Sequence, residues 1–191
     1  MPVPTRLPYL FVLVLVSALA GCAPRSGTGT GTARESGDAS AGTVAAHRRI
    51  ADSLPLADPQ ALEDARRGFV GHDPALVVAG PRGGTAWNMT DYRFLEGEAP
   101  PTVNPSLWRM AMLNAQYGLF EVVPGIHQVR SYDVSNMTLI EGRTGWIVVD
   151  PLTSTETAAA ALALARRHLG DRPVSAIVFT HSHADHFGGV E

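Results

Sequence analysis

Four side chains able to ligate a metal fall within six residues of this 191-residue sequence: His181, His183, Asp185 and His186, in the run His181-Ser-His-Ala-Asp-His186 that continues into Phe187-Gly-Gly189. Three imidazoles and one carboxylate form a nitrogen and oxygen donor set, which suits Zn²⁺ and, less exclusively, Mn²⁺ or Fe²⁺. A chain leaving a strand is still near-extended, so residues two apart project to one side, and His181 and His183 can grip one ion. Asp185 and His186 follow the start of a turn and can reach a second ion, where the carboxylate also offsets the charge of two divalent cations. Asp185 is the candidate catalytic residue of the set. A hydroxide held between two such ions is a nucleophile at neutral pH. The bland alternative, four solvated loop residues, leaves the spacing and its placement behind a strand unexplained.

The elements that must position these residues are legible in the last seventy residues. Ile126-His-Gln-Val-Arg130, Met137-Thr-Leu-Ile-Glu141 and Gly145-Trp-Ile-Val-Val-Asp150 read as short strands, the last two joined by a turn of hairpin length, Gly142-Arg-Thr-Gly145. Thr153-Ser-Thr-Glu156 has a capping-box pattern ahead of a helix over 158–168, with Arg166, Arg167 and His168 in its last turn and Gly170 and Pro173 to stop it. The apolar run Val174-Ser-Ala-Ile-Val-Phe-Thr180 then completes a strand–helix–strand unit that opens onto His181. In open α/β sheets ligands bind at that edge. Asp150, closing the earlier strand, is either a strand-ending turn residue or an acceptor that orients a ligand histidine.

Composition sets limits on the rest. The chain is 45% hydrophobic and 17% charged, with 15 basic and 18 acidic residues and a formal charge of −3. These values fit a globular domain, and no Lys/Arg block offers a footprint for nucleic acid. One cysteine can form neither an internal disulfide nor a Cys-rich metal module. Arg6 is the lone charge ahead of an apolar run from Leu7 to Ala20, which has the length of a signal-peptide core rather than a membrane span. The run ends in Leu19-Ala-Gly-Cys22, which resembles a bacterial lipobox and makes Cys22 the candidate lipidation site. The expected product is an exported protein, periplasmic or held to a membrane through its lipid, and the outer membrane is preferred because Ala23 supplies no acidic retention signal.

The organisation expected is a signal peptide over 1–22, a flexible linker over 23–46, a globular segment over 47–122 and an α/β segment over 123–191. The linker rests on Gly, Ser, Thr and Ala content, too little apolar surface to offset ordering entropy. In the globular segment, 59–68 reads as a short helix and 76–79 as a short strand. His47, His72, His127 and His168 are scattered without ligand-like neighbours.

The motif His-x-His-x-Asp-His after an apolar strand, with an earlier strand ending in Asp, resembles the metallo-β-lactamase superfamily. A tighter resemblance spans about 67–191. Thr102-Val-Asn-Pro-Ser-Leu-Trp-Arg109, Gly118-Leu-Phe-Glu-Val122, Ser135-Asn-Met-Thr-Leu-Ile-Glu-Gly142, Gly145-Trp-Ile-Val-Val-Asp-Pro-Leu-Thr153 and Thr180-His-Ser-His-Ala-Asp-His-Phe-Gly-Gly189 are similar to the linear alkylsulfatases. That resemblance implies an αββα sandwich, cut after its first metal-ligand motif, and hydrolysis of alkyl sulfate esters to alcohol and sulfate at two zinc ions. His181 and His183 would hold the first zinc and Asp185 and His186 the second. It further implies homodimers, and additional ligands and sulfate-binding residues beyond residue 191, so that this stretch alone is expected to be inactive. The alternatives are another hydrolase of the superfamily, acting on a lactam, lactone or thioester, and a non-catalytic lipoprotein remnant.

Overall fold

A computed structural model describes residues 37–191; the export signal, Cys22 and the first part of the linker lie outside the described residues. Helices α1 (Ala41–Ser53) and α2 (Gln60–Arg66) lead into strand β1 (Phe69–Gly71) and a hairpin of β2 (Val77–Ala79) and β3 (Thr85–Asn88). A 3-10 helix (Met89–Glu96) and α3 (Pro105–Asn114) follow. Then come β4 (Gly118–Val123), β5 (Ile126–Arg130), β6 (Met137–Glu141), β7 (Trp146–Val149), α4 (Thr155–Leu169), β8 (Val174–Val178) and a last 3-10 turn (Ala184–His186).

Helix α1 corrects the linker boundary, because it starts inside the stretch assigned to 23–46. Ser40 caps it, its hydroxyl accepting from the Thr43 amide at 3.1 Å. Alanine and a serine N-cap favour a helix even where overall composition is poor in apolar residues.

The main sheet has the order β1-β4-β5-β6-β7-β8. Its first five strands are antiparallel neighbours, and only β7 and β8 run parallel. A parallel pair needs a crossover, and α4 supplies it. Thr157, Ala158, Ala161, Leu164 and Ala165 form the buried stripe of α4, at the spacing of one helical face. It shares a core with Leu119, Val129, Met137, Leu139, Trp146 and Val148 of the sheet, where alternate residues point inward. Three alanines on that stripe let the helix backbone lie close to the strands.

The cap of α4 sits one residue later than the sequence pattern suggests. Ser154, not Thr153, is the N-cap, and Thr157 closes the box in place of Glu156. The reason is tertiary: the Thr153 hydroxyl donates at 2.8 Å to Asp133, a buried carboxylate on the loop before β6. Asp133 also accepts from the Thr153 amide at 3.0 Å, the Thr157 hydroxyl at 2.6 Å and the Val134 amide at 2.6 Å. One side chain thereby clamps two loops to the start of α4. A second tie runs from buried Tyr132, whose hydroxyl donates to Asp73 at 3.0 Å, and burial pushes that phenol's pKa well up.

Strand β8 is the last of the sheet, exposed at all five positions, and Phe179 and Phe187 beyond it are also exposed. Among the described residues its outer edge pairs with no strand.

Two substitutions test this framework. Asp133→Ala strands four donors and should lower the unfolding free energy by about 3 kcal/mol in a denaturant titration; a loss under about 0.5 kcal/mol would show the clamp to be dispensable. At Gly189 an added Cβ would run into the Pro151 carbonyl oxygen and lie 2.7 Å from the Ala158 Cβ. Gly189→Ala should therefore cost about 1–3 kcal/mol, seen as a lower melting temperature, whereas an unchanged melt would contradict the tight approach of this turn to α4.

Candidate metal centre

The two parallel strands bring their C-terminal ends side by side, Val149 opposite Val178. One further ladder bond, the Asp150 amide to the Val178 carbonyl at 3.0 Å, extends the pairing. Then the chain after β7 turns sharply: Asp150 and Leu152 have φ of 56° and 68°, in the left-handed region that side-chain-bearing residues rarely adopt. Strain of that kind costs about 1–3 kcal/mol per residue and is held by its surroundings. Here Leu152 is fully buried, and the Asp150 side chain turns back to take over where the ladder stops.

Asp150 is 7% exposed and accepts three hydrogen bonds. The Thr180 amide donates to Oδ1 at 2.8 Å, and Oδ2 lies 2.6 Å from the Thr180 hydroxyl and 2.8 Å from His186 Nδ1. Burial acts to raise the carboxyl pKa, but the Thr180 and His186 hydrogen bonds outweigh it and hold the group below the usual carboxylate range. An ionised Asp150 accepts only, so His186 donates through Nδ1 and turns Nε2 outward. His186 Nε2 lies 3.2 Å from Asp185 Oδ2.

The other two imidazoles meet on the same side. The chain bends over 180–182 rather than staying extended, yet His181 Nε2 and His183 Nδ1 lie 3.1 Å apart, the rings edge to face. His181 also packs on His186, with ring centroids 4.0 Å apart. All five residues singled out in this region of the sequence, Asp150, His181, His183, Asp185 and His186, are thus brought into one locality. Asp150 is both things the sequence allowed, a turn residue by its backbone and a histidine partner by its carboxylate.

The donor atoms come as two pairs, and among the described residues no three His, Cys, Asp or Glu side chains form a ready cluster for one ion. The spacing within each pair nonetheless fits a shared metal. Two ligands of one tetrahedral zinc at about 2.0–2.1 Å stand about 3.3 Å apart, close to the 3.1 Å and 3.2 Å found here.

Two residues without a role in the sequence reading join the site. The Ser135 hydroxyl donates to the Asp185 carbonyl and ties the loop before β6 to the motif. Thr180 touches both Asp150 and His181, its Oγ1 lying 3.0 Å from His181 Nδ1. A threonine ending an apolar strand is an ordinary β-former, so nothing in its local sequence marks it. The remaining histidines lie elsewhere: His47 against the Pro101 carbonyl, His72 between Phe69 and Tyr117, His127 against Trp146 and His168 over Gly71. A cleft of about 410 Å³, lined by Trp87, Tyr92, Phe94, Val134 and Asn136 among others, borders the same loop that Ser135 anchors.

A family model described as the metallo-beta-lactamase superfamily matches residues 131–191, which contain β6 through the histidine motif. The Alkyl/aryl-sulfatase BDS1 of Saccharomyces cerevisiae is 48% identical over 150 residues, 78% of this chain and 23% of that protein. The linear primary-alkylsulfatase of a Pseudomonas species is 47% identical over 161 residues, 83% of this chain and 23% of its own length. Among solved structures, the stereoselective inverting sec-alkylsulfatase Pisa1 from Pseudomonas superposes with a TM-score of 0.76 at 45% identity, covering 82% of this chain and 25% of that one. The sheet, the crossover helix and the motif turn described above therefore have the alkylsulfatase form of the metallo-β-lactamase fold. The chain is a homologue of the alkylsulfatases within the metallo-β-lactamase superfamily, and it spans about a quarter of the length of the relatives it matches.

Proposed function

We propose that this chain carries half of the metal-binding machinery of a hydrolase that splits alkyl sulfate esters into an alcohol and inorganic sulfate. The observation that carries the reading is the pair of donor pairs, His181 with His183 and Asp185 with His186, gathered at the end of β8 beside Asp150. Divalent cations bound there, zinc by the nitrogen and oxygen character of the donors, would make water nucleophilic at neutral pH and offset the negative charge of a sulfate ester. The names of the related proteins favour alkyl sulfates over lactams, lactones or thioesters.

Each residue has a distinct part. His181 and His183 present one ring nitrogen each to the first ion. His186, held through Nδ1 by Asp150, presents Nε2 to the second beside Asp185. Asp185, one-third exposed, would hold the second ion through one oxygen, and its carboxylate could serve there as a proton acceptor. Four donors would supply two per ion, and the other ligands of each ion would come from groups outside this set.

Export completes the proposal. Cleavage ahead of Cys22 makes it the first residue of the mature protein, and its thiol carries the lipid that anchors the protein to a membrane.

In the full-length protein, His183→Ala should lower zinc content and cut sulfate release from a medium-chain alkyl sulfate by at least about 100-fold. Retention of both metal and rate would remove His183 from the ligand set, and turnover of a lactone or thioester without turnover of alkyl sulfates would sink the substrate reading. Fractionation tests the anchor: wild type should stay with membranes through a high-salt wash, while Cys22→Ala should be soluble or unprocessed. Membrane retention of processed Cys22→Ala would overturn lipidation.

A further inference from the structure

The unexplained contact at the site is that of Thr180. Its backbone amide already satisfies Asp150 Oδ1 at 2.8 Å, so the hydroxyl is not needed to close the strand end. That hydroxyl instead stands between two groups, 2.6 Å from Asp150 Oδ2 and 3.0 Å from His181 Nδ1. A hydroxyl has one proton and two lone pairs. With its proton donated to the Asp150 carboxylate, it faces His181 as an acceptor only. His181 must then carry its proton on Nδ1, which leaves the lone pair on Nε2, the atom that faces His183 Nδ1 at 3.1 Å. His186 is held in the same tautomer directly, through its Nδ1 contact with Asp150 Oδ2 at 2.8 Å.

We propose that Thr180 is a positioning residue, whose hydroxyl relays the Asp150 carboxylate to His181 Nδ1 and so fixes the tautomer and ring orientation that leave Nε2 free to ligate. One carboxylate thereby aligns one histidine from each donor pair, His186 by contact and His181 through a single intervening hydroxyl. The tautomer of an imidazole is set by the hydrogen bonds its two nitrogens make, and among the described hydrogen bonds the Thr180 hydroxyl is the one partner of His181 Nδ1, while Nε2 faces His183 Nδ1. This inference rests on the metal-binding reading above for its consequence, but the tautomer itself is a property of the chain without metal.

Thr180→Val and Thr180→Ser in the full-length protein separate the relay from a packing role. Valine keeps the shape and the backbone bond to Asp150 but removes the hydroxyl; serine restores the hydroxyl and removes the methyl group. In metal-free, 15N-histidine-labelled protein, His181 should be protonated on Nδ1 in wild type and Thr180→Ser and shift toward Nε2 protonation in Thr180→Val. Zinc affinity, measured by chelator competition, should fall about 10–100-fold in Thr180→Val and stay within about threefold in Thr180→Ser, and the Co²⁺ absorption spectrum should change only in the valine variant. An unchanged tautomer in Thr180→Val, or equal zinc loss in both variants, overturns the relay while leaving the hydrolase reading intact. Wild type that neither binds zinc nor releases sulfate overturns the hydrolase reading, and the 15N result still decides the relay.

Discussion

The carboxylate of Asp150 is buried at the point where a strand pair ends, and a buried charge must find donors on every side or lose its ionisation. Three donors meet it, two from Thr180 after β8 and one from His186 in the turn that follows. None of these is close to Asp150 in sequence. They can reach it only because β7 and β8 are parallel neighbours whose C-terminal ends lie side by side, which requires α4 to cross over the sheet and pack there. The left-handed backbone at Asp150 and Leu152 belongs to the same constraint: it aims the carboxylate at the end of β8 and places Leu152 in the core.

A second buried carboxylate, Asp133, supports the first from the other side of the loop after β7. By holding Thr153 and Thr157 it fixes the start of α4, and its neighbour Ser135 holds the Asp185 carbonyl. The paired glycines after the motif serve the same closure. Gly188 and Gly189 pass so near the carbonyls of Thr153 and Pro151 that a side chain has no room, which draws the turn bearing Asp185 and His186 onto the loop beneath it. The donor set is therefore mounted on a framework in which two loops, one helix start and one strand end are bonded to one another.

The same framework explains why the donors come in pairs. Sequence neighbours on one short turn can share an edge of a coordination shell, but a closed shell needs ligands arriving from other directions. The fold places the edge pairs at the rim of the sheet, just beyond the exposed strand β8.

Much of the site was open to reading from the sequence, since both its chemistry and its spacing are local. His181, His183, Asp185 and His186 lie within six residues, and the strands and helix that carry them show clear alternation and helical stripes, so β5, β6, β7, α4 and β8 fall where expected. Elements without such periodicity stayed hidden: β1, β3, α3 and the 3-10 helix are short or rest on packing, and α1 begins with a cap inside a compositionally poor stretch. The α4 cap shifted by one residue because Asp133, twenty positions earlier, claims the Thr153 hydroxyl. The contacts that join Asp150 to Thr180 and His186 are visible only in the tertiary structure, because thirty residues or more separate them in sequence. Local sequence determines which donors exist and how closely they can stand; the long-range strand pairing decides which of their nitrogens are free to use.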